Sequence, residues 1–303
     1  MFWIFIILIG HLSNAGAFII DKILLHKTMR HPAVYVFYIG LLSLLAFILL
    51  PFGHFFVPAQ HIVVRSAISG ATFMAALFCF FTSLKKGEAT RVVPFFGALI
   101  PIWTIFLASI FLGEYLRGNE WLGIAFLILG AVLISYEQSA EKSAITVELI
   151  LLIILASGLF ALSSTMLKSV FNATEFINGF LWTRVFGFLT VVPLILLPSV
   201  RQSILPSTSG TSHQPKERPN LLFFIGQSMG ALGFIFLAWG TDLAPRVTIV
   251  NALQGVQYAF LFILVVIISK FAPRALKESL SRSIIIQKTI AIILLTIGLA
   301  LVT

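Results

Sequence analysis

The residue in this chain best placed for chemistry is a lone charge in an apolar run: Arg184, in Phe180-Leu181-Trp182-Thr183-Arg184. A charge at the centre of a membrane span costs about 2.5–3.5 kcal/mol on insertion scales, so it needs a reason to be there. Two roles fit. It could snorkel to the headgroups beside Trp182, or it could line a central cavity and bind an anionic group. The first apolar run carries a polar stripe, His11, Asn14, Phe18 and Lys22, at the three-and-four spacing of one helix face. The sixth run repeats that face with Ser157, Phe160, Ser164 and Lys168. The ninth is the most polar: Asn251, Gln254 and Tyr258 share a face, with Gln257 about 100° away from it. An unpaired amide in hydrocarbon costs several kcal/mol, so these amides need either other helices or a solute as partners. At matching depth in the fourth run stand Pro101, Trp103 and Thr104. The substrate-binding candidates are therefore His11, Asn14, Trp103, Arg184, Asn251, Gln254 and Tyr258. Lys22 and Lys168, at run ends, are expected to anchor at the interface. Glu88, Glu114, Asp242 and Arg246, at turns, are expected to be solvated.

Catalytic and metal signals are missing. The six histidines (His11, His26, His31, His54, His61 and His213) form no ligand-spaced cluster with carboxylates or cysteine. No glycine-rich G-x-x-x-x-G-K-[ST] loop is present, which excludes ATP hydrolysis by this chain. Cys79 stands alone, so no intrachain disulfide or thiolate metal site forms. No catalytic residue, metal or cofactor is expected.

The elements that must position these side chains follow from composition. Charged residues make up 10% of the chain, against roughly a quarter in a soluble domain, which places the chain in a membrane. The net charge of +9 is spread over loops between apolar runs and is no nucleic-acid footprint. A span needs about 20 apolar residues. Ten segments qualify: 2–20, 33–52, 66–84, 92–112, 121–136, 147–167, 178–197, 221–240, 247–269 and 283–302. The first begins at Phe2 with no basic leader and is expected to remain as a span rather than be cleaved. The fold class is thus an all-α integral membrane protein with ten transmembrane helices.

The second half echoes the first. Leu127-Ile128-Leu129-Gly130-Ala131-Val132-Leu133-Ile134-Ser135 returns as Leu295-Thr296-Ile297-Gly298-Leu299-Ala300-Leu301-Val302-Thr303, and Ala89-x-Arg91-Val92 as Ala244-x-Arg246-Val247. Five spans followed by five similar ones must be oppositely oriented, because five is odd. The expected organisation is two inverted five-helix repeats, 1–138 and 145–303, an architecture common among secondary transporters. Basic residues crowd the odd-numbered connections, among them Lys22, Lys27, Arg30, Lys85, Lys86, Arg91, Lys142, Lys216 and Lys277. The even-numbered ones hold Arg65, Arg117, Lys168 and Arg246, one each. The positive-inside rule then puts the odd loops in the cytoplasm and both termini outside.

The stretch from Lys85 to Ser135 resembles the carboxy-terminal half of an EamA domain of the drug/metabolite transporter superfamily. The likeness lies in the loop with Ala89 and Arg91, then Ile100-Pro101-Ile102, the Leu112-Gly113-Glu114 turn, and Trp121-Leu122-Gly123 leading to Gly130. The second half has no counterpart to Gly113-Glu114. The resemblance implies that spans one, four, six and nine border the solute path. Members of this superfamily are usually drawn with both termini inside, and the charge distribution here departs from that picture.

Two functions of different classes remain open at this point. One is a secondary transporter of a small metabolite, working by alternating access between the repeats. The other is a membrane-embedded enzyme or flippase acting on a lipid-linked substrate, although Glu114, Glu120, Glu137 and Glu141 converge on no motif for it. Expected partners are a small-molecule substrate and the lipid bilayer, with no nucleic acid, in a monomer or homodimer. The expected location is the cell membrane of a bacterium or archaeon.

Overall fold

The computed structural model describes residues 2–24, 32–87, 89–135, 146–198, 200–201, 221–271 and 282–302. Among the described residues all regular structure is helical. In chain order the helices are α1 (Phe2–Leu24), α2 (Pro32–Leu42), α3 (Gln60–Lys86), α4 (Ala89–Leu112), α5 (Gly118–Ser135), α6 (Val147–Phe171), α7 (Phe176–Val191), α8 (Leu221–Leu243), α9 (Val247–Ala252), α10 (Gln254–Phe271) and α11 (Arg282–Val302). Eight membrane-length apolar stretches and two shorter apolar helices, Gly118–Ile134 and Ser228–Leu243, match the ten expected segments. Large apolar side chains also point outward all round the molecule, such as Ile48, Phe106, Leu196 and Ile290. Such a surface suits lipid, and the chain is an integral multi-pass membrane protein.

Three spans depart from simple helices. The second and seventh both tighten into 3-10 turns near their ends, at Ser43–Phe52 and Val192–Leu196. Each of these segments contains a proline, Pro51 or Pro193, which has no N–H to give to an α-helical ladder. The ninth runs as α9 and α10 with one turn residue between them, Leu253, which keeps helical angles (φ −70°, ψ −6°) and whose N–H still reaches the Ile249 carbonyl at 3.1 Å. Pro101, by contrast, sits inside an uninterrupted α4.

Helix pairing crosses the two halves of the chain. α3 packs along α6, and α1 packs along α8. Exchanging each span with the one five places on turns the first pair into the second. Small residues let both pairs close up. In the α3–α6 seam Ser69 and Ser163 each donate a hydroxyl hydrogen bond to the other's carbonyl, at 3.0 and 2.8 Å. In the α1–α8 seam Gly10 and Gly233 face one another, so that a Cβ on either would fall within 3.0 Å of the other's carbonyl oxygen. α5 and α11 form a third long contact.

Candidate functional site

Asn251 is the last polar residue before Leu253 in the ninth span. Its amide donates to the Thr104 hydroxyl of α4 at 2.8 Å and the Ser164 hydroxyl of α6 at 2.7 Å. Three helices therefore meet at one amide, and all three residues come from stretches that the sequence singles out. Both hydroxyls also donate back into their own helices, Thr104 to Ile100 and Ser164 to Ala161. Trp103, next to Thr104, lies against Gly158 of α6, 3.6 Å from where a Cβ there would stand. Gln254, just past Leu253, is half-buried, and its side chain makes no hydrogen bond among the described residues. One turn further, the Tyr258 hydroxyl lies against Gly97 of α4, where a Cβ would come within 2.9 Å.

His11 and Asn14 part company. His11 is buried and shares a 3.2 Å hydrogen bond between Nδ1 and Gln257 Oε1, while its Nε2 is buried without a partner among the described residues. Asn14 instead turns into the α1–α8 seam, where its Oδ1 occupies the space a Cβ at Gly233 would need. Phe18, on the same stripe, is exposed on the outer surface. The side chain of Lys22 lies outside the described residues. The stripe of the sixth span holds together better: Ser157 and Lys168 are buried, and Phe160 and Ser164 half-buried.

Arg184 does not reach a helix end. It stands midway along α7, 5% exposed, with its guanidinium carbon 4.6 Å from the ring centre of Phe234, 5.2 Å from Phe180 and 5.3 Å from Phe73. Phe73 and Phe234 are themselves near the middles of α3 and α8. Cation–π contacts are worth about 0.5–2 kcal/mol each, so three of them are of the order needed to hold the charge in place. The oxygen bonded to its N–H groups is the Thr183 hydroxyl, at a long 3.5 Å from both Nε and Nη2. No carboxylate pairs with Arg184 among the described residues. Sequence reasoning finds the arginine but not its cage, because two of the three rings come from other helices.

Two of the turn charges expected to be solvated, Glu114 and Arg246, are engaged instead. Glu114 accepts hydrogen bonds from the backbone N–H of Val247 (3.0 Å) and from the N–H and hydroxyl of Thr248 (3.4 and 3.1 Å). Arg246 pairs with Glu120, which also accepts from the Arg117 N–H at 2.6 Å. Lys168 is no interface anchor. It is buried, and its ammonium donates to the carbonyls of Asp242 (2.7 Å) and Ala244 (2.6 Å), closing the C-terminal end of α8. The turn carrying Asp242 supplies carbonyls that need a donor, and a lysine one helix away meets that need. Glu88 lies outside the described residues. The signal that could have found these contacts is present: Leu112-Gly113-Glu114 is one of the turns that carry the family resemblance, and Ala244-x-Arg246 repeats Ala89-x-Arg91.

Two grooves lie away from these residues. A groove of about 490 Å³ between α4 and α5, lined by Ile102, Ile105, Phe106 and Trp121, is almost wholly apolar and faces outward. A second, of about 310 Å³, is lined by Arg117, Glu120, Arg246 and Trp3 at the charged turns. Neither includes Asn251 or Arg184.

Comparison with known proteins bears on the whole arrangement. The model of the EamA-like transporter family matches residues 1–136. An uncharacterised transporter from the cobO 3′ region of a Sinorhizobium species is 41% identical over 69 residues, 23% of this chain and 48% of that protein. The matched stretch thus spans about half the length of that relative. An uncharacterised protein of Methanocaldococcus jannaschii is 28% identical over 129 residues, 43% of this chain and 92% of that one. A solved crystal structure superposes with a TM-score of 0.67, covering 98% of this chain and 96% of the other at 15% identity, which speaks to the fold alone.

Proposed function

With residues 1–136 an EamA-like transporter domain, we propose that the chain is a secondary transporter of a small metabolite. It works by alternating access between two inverted five-helix repeats, 1–138 and 145–303. The observation that carries this reading is the Asn251 amide of the ninth span, which ties α4 of the first half to α6 of the second beside the tightened turn at Leu253. Transporters hold their solutes near the contact of two repeats, where polar side chains replace hydration. His11, Asn14, Trp103, Arg184, Asn251, Gln254 and Tyr258 are the proposed contacts. The repeat itself is supported by the exchange of α3–α6 for α1–α8 and by the matched 3-10 endings of spans two and seven. It is supported too by relatives only about half as long as this chain. Their sources, a bacterium and an archaeon, suit a prokaryotic cell membrane.

Thiol accessibility tests the reading. In a Cys79→Ser background, single cysteines replacing Asn251, Gln254 and Tyr258 should react with small membrane-impermeant reagents from both sides of the membrane. Cysteines replacing Ile263 and Ile267, both exposed on the outer surface, should stay inert in lipid. Protection of all three inner positions from both sides would sink alternating access through the ninth span.

A further inference from the structure

We propose that the pocket at the even-numbered turns, where Arg117, Glu120 and Arg246 meet, holds the phosphodiester of a membrane lipid headgroup. The inference does not depend on the transporter reading. The pocket has a volume of about 310 Å³ and is walled by the charged turns together with Trp3, Ile4 and Val302 from the ends of α1 and α11. Open donors line it. Arg246 gives Nη1 to Glu120, while its Nε and Nη2 make no hydrogen bond among the described residues. The guanidinium of Arg117 makes no hydrogen bond or ion pair among the described residues; its backbone N–H alone is engaged, by Glu120. Guanidinium groups with open N–H donors match paired oxygens of a phosphate or carboxylate.

Level and charge narrow the ligand. Trp3 stands at the start of α1, Trp121 in the first turn of α5, and Trp239 one turn from the end of α8. The ring of Phe2 meets that of Trp239 edge-on at 6.2 Å, and Asn119 donates to the carbonyl of Leu301 at 3.4 Å, so these helix ends share a face. Tryptophan at helix ends marks the headgroup level of a bilayer. A pocket at that level lies among lipid phosphates, below bulk water and above the hydrocarbon. Of the residues that line it, two arginines against one glutamate leave a single positive charge. A phosphodiester balances that charge, whereas a phosphate monoester, at about −1.5 to −2, does not. A carboxylate would balance it as well, but the group a bilayer presents at this level is the phosphodiester. A headgroup seated there touches both halves of the chain, through Trp3 and Arg117 of the first and Arg246 and Val302 of the second.

Native mass spectrometry of the full chain, titrated in detergent with phosphatidylglycerol, tests this. One lipid should bind more tightly than those that follow, and more tightly than diacylglycerol, which has the tails without the phosphate. Arg117→Gln should weaken that first lipid about fivefold to tenfold, and Arg117→Lys by less. Arg117 is exposed, so both variants report binding rather than folding. Arg65→Gln, at another even-numbered connection and outside the pocket, should leave it unchanged. Glu120→Gln, which removes the one negative charge of the pocket, should tighten it, a gain that misfolding cannot produce. The proposal is overturned by diacylglycerol binding as tightly as phosphatidylglycerol, by an unchanged Arg117→Gln, or by an equal loss in Arg65→Gln. Water-soluble glycerophosphoglycerol should compete only at far higher concentration. Displacement at concentrations matching the lipid would overturn the lipid source and make the ligand a soluble phosphodiester.

Discussion

The carboxylate of Glu114 accepts the backbone N–H of Val247 at 3.0 Å, so the turn that ends α4 caps the helix that begins the ninth span. The first N–H groups of a helix have no partner inside it, and here an acid from the other half of the chain supplies one. Beside it Arg246 meets Glu120. Spans four and nine are thus clasped at the face where the even-numbered turns lie.

Loosening that clasp should be visible. Glu114→Ala removes a capping acceptor, which typically costs about 0.5–2 kcal/mol, and Glu114→Gln should keep part of it. The expected results are a lower thermal transition for the alanine variant and faster labelling of a cysteine at position 251 from the even-turn side. Equal labelling rates in wild type and Glu114→Ala would mean that the contact is structural trim with no part in gating.

Gly113 offers a cleaner test of the same turn. Its φ is +65°, and a Cβ there would meet nothing within 4 Å. Gly113→Ala therefore reports conformational strain alone, about 1–2 kcal/mol for an L-residue in the left-handed region, and Gly113→Asn should be milder. Gly118→Ala, also in open space but without a positive φ, should unfold close to wild type. Thermal unfolding of the three variants in one detergent decides it; Ala at 113 behaving like Ala at 118 would contradict the strain argument.

The side on which the termini lie is also open to measurement. Asn119, in the first turn of α5, donates to the carbonyl of Leu301 at 3.4 Å, so the end of α11 shares a face with the even-numbered turns. Counted by basic residues, that face is the outer one. A reporter active only in the cytoplasm should be silent after Thr303 and active when inserted among residues 202–220. Strong activity after Thr303 would invert the orientation, bringing it into line with the usual picture for the superfamily.

The ten apolar segments could be read from the sequence because length and hydropathy are local properties, and lipid enforces both. Spans two and seven could have been read as bent from Pro51 and Pro193. The tightened turn at Leu253 has no proline, and Asn251 and Gln254 read as amides on a continuous helix. The partners of Asn251 are visible only once Thr104 and Ser164 arrive from elsewhere. Arg184 announced itself by charge, yet its surroundings come from α3 and α8 as well as α7, which no spacing along the chain reveals. The pairing of Glu120 with Arg246 joins residues 126 apart, and position at a turn makes each look solvated. Local chemistry was legible; the partners that complete it were not.

Pairing α1 with α8 has a consequence for how the protein is made. α8 begins about two hundred residues after α1 ends, roughly 10–40 s of synthesis at about 5–20 residues per second. Through that interval a nascent chain holds His11 and Asn14 in the bilayer before Gln257 and Gly233 exist to receive them. α3 likewise emerges well ahead of α6, so the first five helices cannot finish assembling on their own. Until α6 and α8 are translated, the faces of α3 and α1 that they cover have no partner within the chain.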